Sequence, residues 1–148
     1  MLLLSQLRTN NLVLDDELNI SKVKAILNDD DGVLKDYFET LVLANGKFLH
    51  YLYCQAIPLS PEILSKCGFV NITTNGKNYW AHRDEAPYSS AHLRVAMVDG
   101  SAICTIGNDT EGIIICTNLE LHTLQNYWSD FHDGVELAVE HPLLARLN

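Results

Sequence analysis

Three turn dipeptides most constrain how this chain of 148 residues can fold. The dipeptides are Asn45-Gly46, Asn75-Gly76 and Asp99-Gly100, and each lies between two runs of apolar or β-branched residues. Both positions of such a dipeptide tolerate positive φ, which the tight turns of β-hairpins require. The sequence therefore predicts three antiparallel hairpins. Residues 34–42 also fit the spacing of an amphipathic helix, but their aromatic and β-branched side chains favour a strand.

Two helices are predicted in addition to the hairpins. Ser60 is a typical capping residue, Pro61 suits the first helical position, and Gly68 suits the end of a short helix over residues 61–67. A second helix is predicted over about residues 118–132, with Asn118 as its cap and Gly134 as its end. Its expected buried stripe consists of Leu121, Leu124, Trp128 and Phe131.

The order of these elements predicts an α+β fold built from antiparallel β-hairpins. Further strands are expected at Ile20–Leu27 and at residues 113–116. We expect a small barrel-like N-terminal part plus a second sheet, one short central helix and one amphipathic C-terminal helix. Residues 1–148 are predicted to form one domain, divisible into residues 1–58 and residues 59–148. A third short helix is predicted to begin at Pro142.

Charge and hydropathy exclude several classes of partner. Ten basic against nineteen acidic side chains give a net charge of −9, which disfavours non-specific nucleic-acid binding. Residues 41–106 are the least acidic part, with five basic and four acidic side chains. No apolar run is long enough to span a membrane, so no membrane partner is expected. The apolar start, Met1 to Leu4, lacks a basic flank and is interpreted as part of the fold rather than as a signal peptide.

The four cysteines predict neither a disulfide framework nor a metal site. Cys54, Cys67, Cys104 and Cys116 are scattered and include no Cys-x-x-Cys pair. We expect buried free thiols in a reducing cytoplasm, with no cofactor and no metal.

Three segments stand out as motifs: LRTNNLV at residues 7–13, IPLSPEILSKCGF at residues 57–69, and LHTLQNYW at residues 121–128 followed by GVEL at residues 134–137. In this order they resemble motifs of a group of small bacterial phage and integrated-element proteins. The sequence departs from the group at Thr9 and Asn10, where the group has Ile-Gly, and at Trp128. The resemblance implies a cytoplasmic accessory protein of a phage or mobile element, and it implies no catalytic residues.

His122, Gln125 and Asn126 form the first candidate ligand-binding group. These positions are neighbours on one face of a helix, so an imidazole and two amides converge there. Together they could hold the edge of a nucleobase or another polar ligand. The alternative is structural, since the same side chains could tie the helix to strand edges by hydrogen bonds.

A second candidate group lies in the least acidic part of the chain. Its ligand-binding candidates are Trp80, His82, Arg83 and Arg94, with Tyr79 beside them. Aromatic rings, arginine and histidine can stack on and pair with a nucleotide. The alternative is an ordinary alternating strand, with Tyr79 and Ala81 on one face and Trp80 and His82 on the other.

No catalytic or metal-binding motif is present. An EF-hand loop with Gly32 at its sixth position would place Leu27 and Phe38 where carboxylates are required. The acidic residues 15–17 and 29–31 are therefore interpreted as solvated turns. The histidines have no metal-ligand spacing, and the sequence contains no nucleophile elbow, phosphate-binding glycine loop or basic recognition helix.

These observations predict a non-enzymatic cytoplasmic accessory protein that binds a nucleotide-like small ligand or a host protein. One alternative is a small nucleotide-directed hydrolase with His122 or His82 as general acid or base. Another is a self-associating structural protein, a homo-oligomer whose exposed strand edges, such as residues 113–116, pair between subunits.

Overall fold

The computed structural model describes residues 2–28, 38–74, 76–108 and 111–140. It contains two antiparallel sheets whose strands follow chain order, so the predicted α+β class is confirmed. The first sheet consists of β1 (Leu12–Leu14), β2 (Ile20–Leu27), β3 (Thr40–Leu43) and β4 (Phe48–His50). The second consists of β5 (Phe69–Thr74), β6 (Lys77–His82), β7 (His92–Val98), β8 (Ser101–Gly107) and β9 (Gly112–Cys116).

The predicted hairpins form, although the first uses a different turn. Asp99 and Gly100 have φ of 51° and 81°, and the flanking residues of β7 and β8 pair directly. Around Asn45, only Gly46 of residues 44–46 has positive φ, and Gly46 N donates to Leu43 O at 3.0 Å. This connection therefore has three residues, with a left-handed glycine last. Asn75 of the second dipeptide lies outside the described residues, as do residues 34–37 of the helical alternative.

Helix α1 (Pro61–Lys66) has the predicted boundaries within one residue. Ser60 Oγ accepts a hydrogen bond from Ile63 N at 3.3 Å, so the hydroxyl caps the first turn. After the helix, Gly68 has φ of 87°, a conformation that glycine adopts without strain. The helix predicted to begin at Pro142 lies outside the described residues.

Helix α2 (Leu121–Phe131) begins later than predicted, and the assignment of Asn118 as its cap is wrong. Glu120 is the cap, and its N–H donates to Thr123 Oγ1 at 3.0 Å in a capping box. The delay has a tertiary cause, because Leu119 N donates to Ala102 O and Leu121 N donates to Ile57 O, each at 2.9 Å. These bonds hold the residues before the helix in an extended conformation.

The main core lies between α2 and the inner face of the second sheet. Leu121, Leu124 and Trp128 are buried there as predicted, whereas Phe131 is only partly buried. Leu12 and Ile20 of the first sheet belong to the same apolar cluster. A second apolar cluster is formed by residues of the first sheet and of the segments next to it. It consists of Leu2, Leu7, Val13, Val23, Leu41, Leu43 and Cys54.

Asp15 contradicts the interpretation of residues 15–17 as a solvated turn. Its side chain is fully buried, whereas those of Asp16 and Glu17 are exposed. Asp15 Oδ1 accepts hydrogen bonds from Glu17 N at 2.8 Å and Asn19 N at 2.9 Å, and Lys47 Nζ lies 3.2 Å from Oδ2. The carboxylate thus organises the turn between β1 and β2. Residues 29–31 lie outside the described part of the chain.

Candidate functional site

Gln125, from the first predicted ligand group, fastens α2 to the N-terminal segment. Its Oε1 accepts a hydrogen bond from Leu12 N at 2.9 Å, and its Nε2 donates to Asn10 O at 3.3 Å. Both ends of the amide are therefore engaged with backbone groups at the start of β1. This geometry matches the structural alternative for this residue, in which the helix is tied to a strand edge.

Asn126 lies beside a small hollow of about 180 Å³. Its Oδ1 accepts from Asn11 Nδ2 at 2.8 Å, and its Nδ2 donates to Gln6 O at 2.6 Å. At the rim of the hollow, the guanidinium of Arg8 forms a bidentate ion pair with Asp130. Nη1 lies 2.7 Å from Oδ1, and Nη2 lies 3.0 Å from Oδ2. These polar groups bind one another, which leaves few donors and acceptors for a ligand.

His122 does not join the two amides at a surface. Its side chain is fully buried, and neither ring nitrogen has a hydrogen-bond partner among the described residues. Burial lowers the pKa of His122 to about 4, because the charged imidazolium would be desolvated. The ring is therefore a neutral member of the core at ordinary pH.

The second predicted group is divided between the two faces of the second sheet. Trp80 and His82 lie on the inner face, and Trp80 packs partly buried against the core. Arg94 pairs with Ala81 across the strands and so lies on the outer face, 4.9 Å from the centre of the Tyr79 ring. Tyr79 and His82 thus lie on opposite faces of the sheet, as the alternative of an ordinary alternating strand predicts.

Arg94 supports the connection between β8 and β9. Its Nη1 donates to Asn108 O at 2.8 Å, and its Nε donates to Thr105 Oγ1 at 3.3 Å. A Cβ atom on Gly112 would lie 2.0 Å from Arg94 Nη2, so the guanidinium reaches the loop because residue 112 is a glycine. The side chain thereby positions the last hairpin of the sheet.

His82 lies at one end of a row of three rings in tilted contact. The ring centroids of His82 and Trp128 are 4.3 Å apart, and those of Trp128 and His132 are 3.9 Å apart. His82 Nδ1 accepts a hydrogen bond from Asp84 N at 3.1 Å, and its other edge faces Gly68. Burial lowers the pKa of His82, and the nearby Asp84 carboxylate opposes that shift.

A cleft of about 350 Å³ lies beside these rings and includes Arg83 in its wall. Its rim carries both signs of charge, and Lys66 Nζ lies 3.5 Å from Glu140 Oε2. The two imidazoles beside Trp128 occupy the space next to its ring, so the indole offers little area for stacking on a ligand. His82 and Arg83 are thus brought together here, without Arg94 and without the amides of α2.

Glu85 is a residue that the sequence analysis did not single out. Its side chain is almost fully buried, with Oε2 3.6 Å from His132 Nε2 and Oε1 accepting from Leu93 N at 3.4 Å. Burial raises the pKa of Glu85 to about 7, and the hydrogen bond from Leu93 opposes the shift. Glu85 and His132 are far apart in sequence, and no local spacing links them.

The outer face of the second sheet carries exposed and partly exposed apolar side chains, although Tyr79, Ala81 and His92 on the same side are buried. We use this name for Val70, Ile72, Ala96, Val98, Ile103 and Ile114, which share one side because they alternate along the strands or pair across them. Ile114 is 61% exposed, and its neighbour Ile113, on the opposite side of β9, is 74% exposed. The described strand residues on this side include the basic Lys77 and Arg94 but no acidic residue.

Strand β9 is an edge of the second sheet, since it pairs only with β8 in the described strands. Its sequence, Gly-Ile-Ile-Ile-Cys, contains no charged residue and no proline. Natural proteins commonly protect such edges with charges, prolines or a covering element. The outer face and this edge together form the candidate functional site.

Comparisons with models of protein families, with curated proteins and with solved structures gave no match to this chain. Within the described ranges, no group of three or more histidine, cysteine, aspartate or glutamate side chains is arranged to hold a metal ion. Neither described helix has the length and apolar character needed to cross a bilayer.

Proposed function

We propose that this protein is a non-enzymatic accessory protein that binds another polypeptide through the outer face and β9. The observation that carries the proposal is the exposure of Val70, Val98 and Ile114 on the outer face, together with Ile113 on the uncharged edge strand β9. Exposed apolar side chains that share a surface are typical of sites of protein–protein contact. The resemblance of residues 7–13, 57–69 and 121–137 to phage and mobile-element proteins supports an accessory role in the host cytoplasm.

The chemistry of the surface favours a particular kind of partner. Apolar side chains would pack on the outer face, and an extended segment could add a strand to β9 by backbone hydrogen bonds. Lys77 and Arg94 lie on this side of a chain whose net charge is −9. We therefore propose a host protein with an apolar segment bordered by acidic residues, because such a segment complements both properties.

A small polar ligand is the second form of the binding hypothesis, and the cleft beside His82 is its best location. The volume of about 350 Å³ lies at the lower end of the range for ligand pockets. Its rim carries charges of both signs, and the Trp128 ring is in contact with His82 and His132, so the cleft offers little free aromatic surface for a ligand.

The geometry gives less support to the hydrolase alternative. A general acid or base must reach the substrate within hydrogen-bond distance. His122 is fully buried, and His82 Nδ1 already accepts a hydrogen bond from Asp84 N. Self-association remains the structural alternative, because the uncharged edge of β9 would also fit a second copy of the same strand.

The proposal is tested by two matched substitutions, Ile114→Lys and Leu52→Lys. These side chains are 61% and 67% exposed, but only Ile114 belongs to the outer face. The full chain is expressed in its native host cells, cross-linked and purified, and the cross-links and the hydrogen exchange of the complex are mapped. We expect a stoichiometric polypeptide that protects β9 and the outer face, is retained by Leu52→Lys and is lost with Ile114→Lys.

Each other outcome counts against this proposal. A partner that both variants retain, or protection away from the second sheet, would reject the outer face as the binding site. A co-purified small molecule without a polypeptide would favour the cleft. Concentration-dependent dimers in sedimentation, abolished by Ile114→Lys, would replace the host partner by a second copy.

A further inference from the structure

Cys104 on β8 and Cys116 on β9 face each other directly across neighbouring strands. The pairing precedes a β-bulge, because the next paired residues are Thr105 and Ile114, which leaves Ile115 as the extra residue. Directly opposed residues place their side chains on the same face, so both thiols point toward the inner side of the sheet.

The distance between opposed residues suits a covalent bond. In antiparallel pairs the Cα atoms are about 4.5–5.5 Å apart, and disulfides form at Cα separations of about 4.4–6.8 Å. Both cysteines are free and belong to, or pack against, the same apolar cluster. Burial raises the pKa of the Tyr127 hydroxyl, and the nearby thiols of Cys116 and Cys104 act in the same direction.

We propose that Cys104 and Cys116 form a redox-modification site that is converted into an intramolecular disulfide by a low-molecular-weight disulfide such as oxidised glutathione. The thiolate of Cys116 attacks one sulfur of the oxidant, which forms a mixed disulfide and releases one glutathione thiolate. Cys104, after losing its proton, attacks the sulfur of Cys116 and displaces the second glutathione. Two protein thiols are oxidised, and one disulfide oxidant is reduced to two thiols.

The surroundings of the two thiols set this order of events. Cys116 is partly exposed, whereas Cys104 is fully buried. Burial, with a smaller contribution from the neighbouring Cys116, raises the pKa of Cys104 to about 12, so Cys104 is a poor first nucleophile. Once Cys116 carries glutathione, the attack by Cys104 is intramolecular and is favoured by proximity.

The bond would act on the candidate binding edge. It would close a loop that contains the whole β8–β9 connection and would fix β9 to β8 at one end. The other two cysteines have no such cross-strand pairing in the described strands: Cys54 belongs to the cluster of the first sheet, and Cys67 shares the apolar cluster of Cys104 but lies at the end of α1 and pairs with no strand residue. The site is therefore specific to one pair, and it does not depend on the proposed partner.

The test uses the full chain in its reduced form, incubated with oxidised glutathione and digested under conditions that prevent thiol exchange. We expect the intact protein to lose two hydrogen atoms and peptide mapping to show a Cys104–Cys116 linkage. In the disulfide form, hydrogen exchange of β9 should slow by about tenfold or more, because the crosslink restricts local opening. A Cys54→Ala, Cys67→Ala double variant should behave identically.

Cys116→Ser supplies the second measurement. It should retain three free thiols after the same treatment and show no slowing of exchange in β9. The proposal is overturned if wild-type Cys116 stops at the glutathione adduct, if all four thiols stay reduced, or if the linkage joins Cys54 or Cys67. Intermolecular crosslinking without the internal bond would overturn it as well.

Discussion

The imidazole of His122 is fully buried and has no hydrogen-bond partner among the described residues. A buried polar group without a partner loses its hydration and gains nothing in return. We expect His122→Leu to raise the free energy of unfolding at pH 7 by about 1 kcal/mol, since a side chain of similar volume replaces the unpaired ring. Chemical denaturation measures this change.

His122 also makes the stability of the fold depend on pH. Its pKa is about 4 in the folded state, against 6.5 for the unperturbed group, so the unfolded chain binds a proton that the folded chain excludes. The free energy of unfolding therefore decreases as the pH falls from 6.5 toward 4, by about 3 kcal/mol in total, and above pH 6.5 His122 causes no such loss. Unfolding of wild-type protein and His122→Leu across this range should show a much flatter profile for the variant.

His92 provides a matched control for the substitution. It is also buried, and its Nε2 likewise has no partner among the described residues, but its Nδ1 lies 2.8 Å from Ser90 O and is hydrogen-bonded there. His92→Leu should therefore lower stability at pH 7, because it leaves that carbonyl without its partner. If His122→Leu lowers stability by a similar amount, the inference that His122 lacks a partner is wrong.

Asp15 is a second residue whose role depends on burial. Burial alone would raise its pKa, but the N–H groups of Asn19 and Glu17 and the ammonium of Lys47 outweigh that effect and lower the pKa. Asp15→Asn should cost about 2 kcal/mol, since charged hydrogen bonds are replaced by weaker neutral ones. The exposed neighbour Asp16→Asn should change unfolding by less than about 0.5 kcal/mol. If thermal unfolding shows that the two variants lose the same stability, the buried hydrogen bonds of Asp15 do not make the proposed contribution.

At the scale of elements, the sequence predicts what local chemistry decides. Ser60 caps α1, and Asp99 and Gly100 form the turn of the third hairpin. Both features depend only on backbone groups within a few residues, so the local sequence is sufficient to predict them. Asn118 fails as a cap although its residue type is suitable, because hydrogen bonds to Ala102 and Ile57 keep the chain extended beyond it. Such long-range bonds leave no local pattern.

The same distinction explains the candidate site. The helical spacing of residues 122, 125 and 126 is correct, but sequence cannot show that β1 meets the amides or that His122 turns into the core. The sequence likewise does not show that the Glu85 carboxylate lies 3.6 Å from His132 Nε2, because the two residues belong to distant segments. The edge position of β9 follows from strand order, which the residues 113–116 alone do not determine.

The β8–β9 hairpin depends on contact between Arg94 and Gly112. In Gly112→Ala the new methyl group would meet Arg94 Nη2, so the guanidinium must leave Asn108 O. We expect a loss of about 1 kcal/mol and faster hydrogen exchange in β9. The same substitution in an Arg94→Met background should cost much less, and a double-mutant cycle measures the difference. Equal costs in both backgrounds would assign the effect to the backbone of residue 112.

At the scale of the whole molecule, residues 1–58 and 59–148 are joined by both apolar and polar contacts. Leu12 and Ile20 complete the cluster that contains the inner face of the second sheet and α2. Gln125 adds hydrogen bonds to the backbone of Leu12 and Asn10, and Arg8 pairs with Asp130. Removing either part would leave apolar surface and backbone groups of the other part uncovered.

We therefore expect one cooperative unfolding transition. Trp80 and Trp128 both lie in residues 59–148, so tryptophan fluorescence reports that part, while hydrogen exchange of Val13 and Val23 reports the N-terminal part. Gln125→Ala should lower the free energy of unfolding reported by both probes together, by about 1–2 kcal/mol, because the partly buried Leu12 N–H and Asn10 carbonyl lose their partners on Gln125. Two separate transitions, or a shift in only one probe, would show that the two parts fold independently and that the contacts through Gln125 do not couple them.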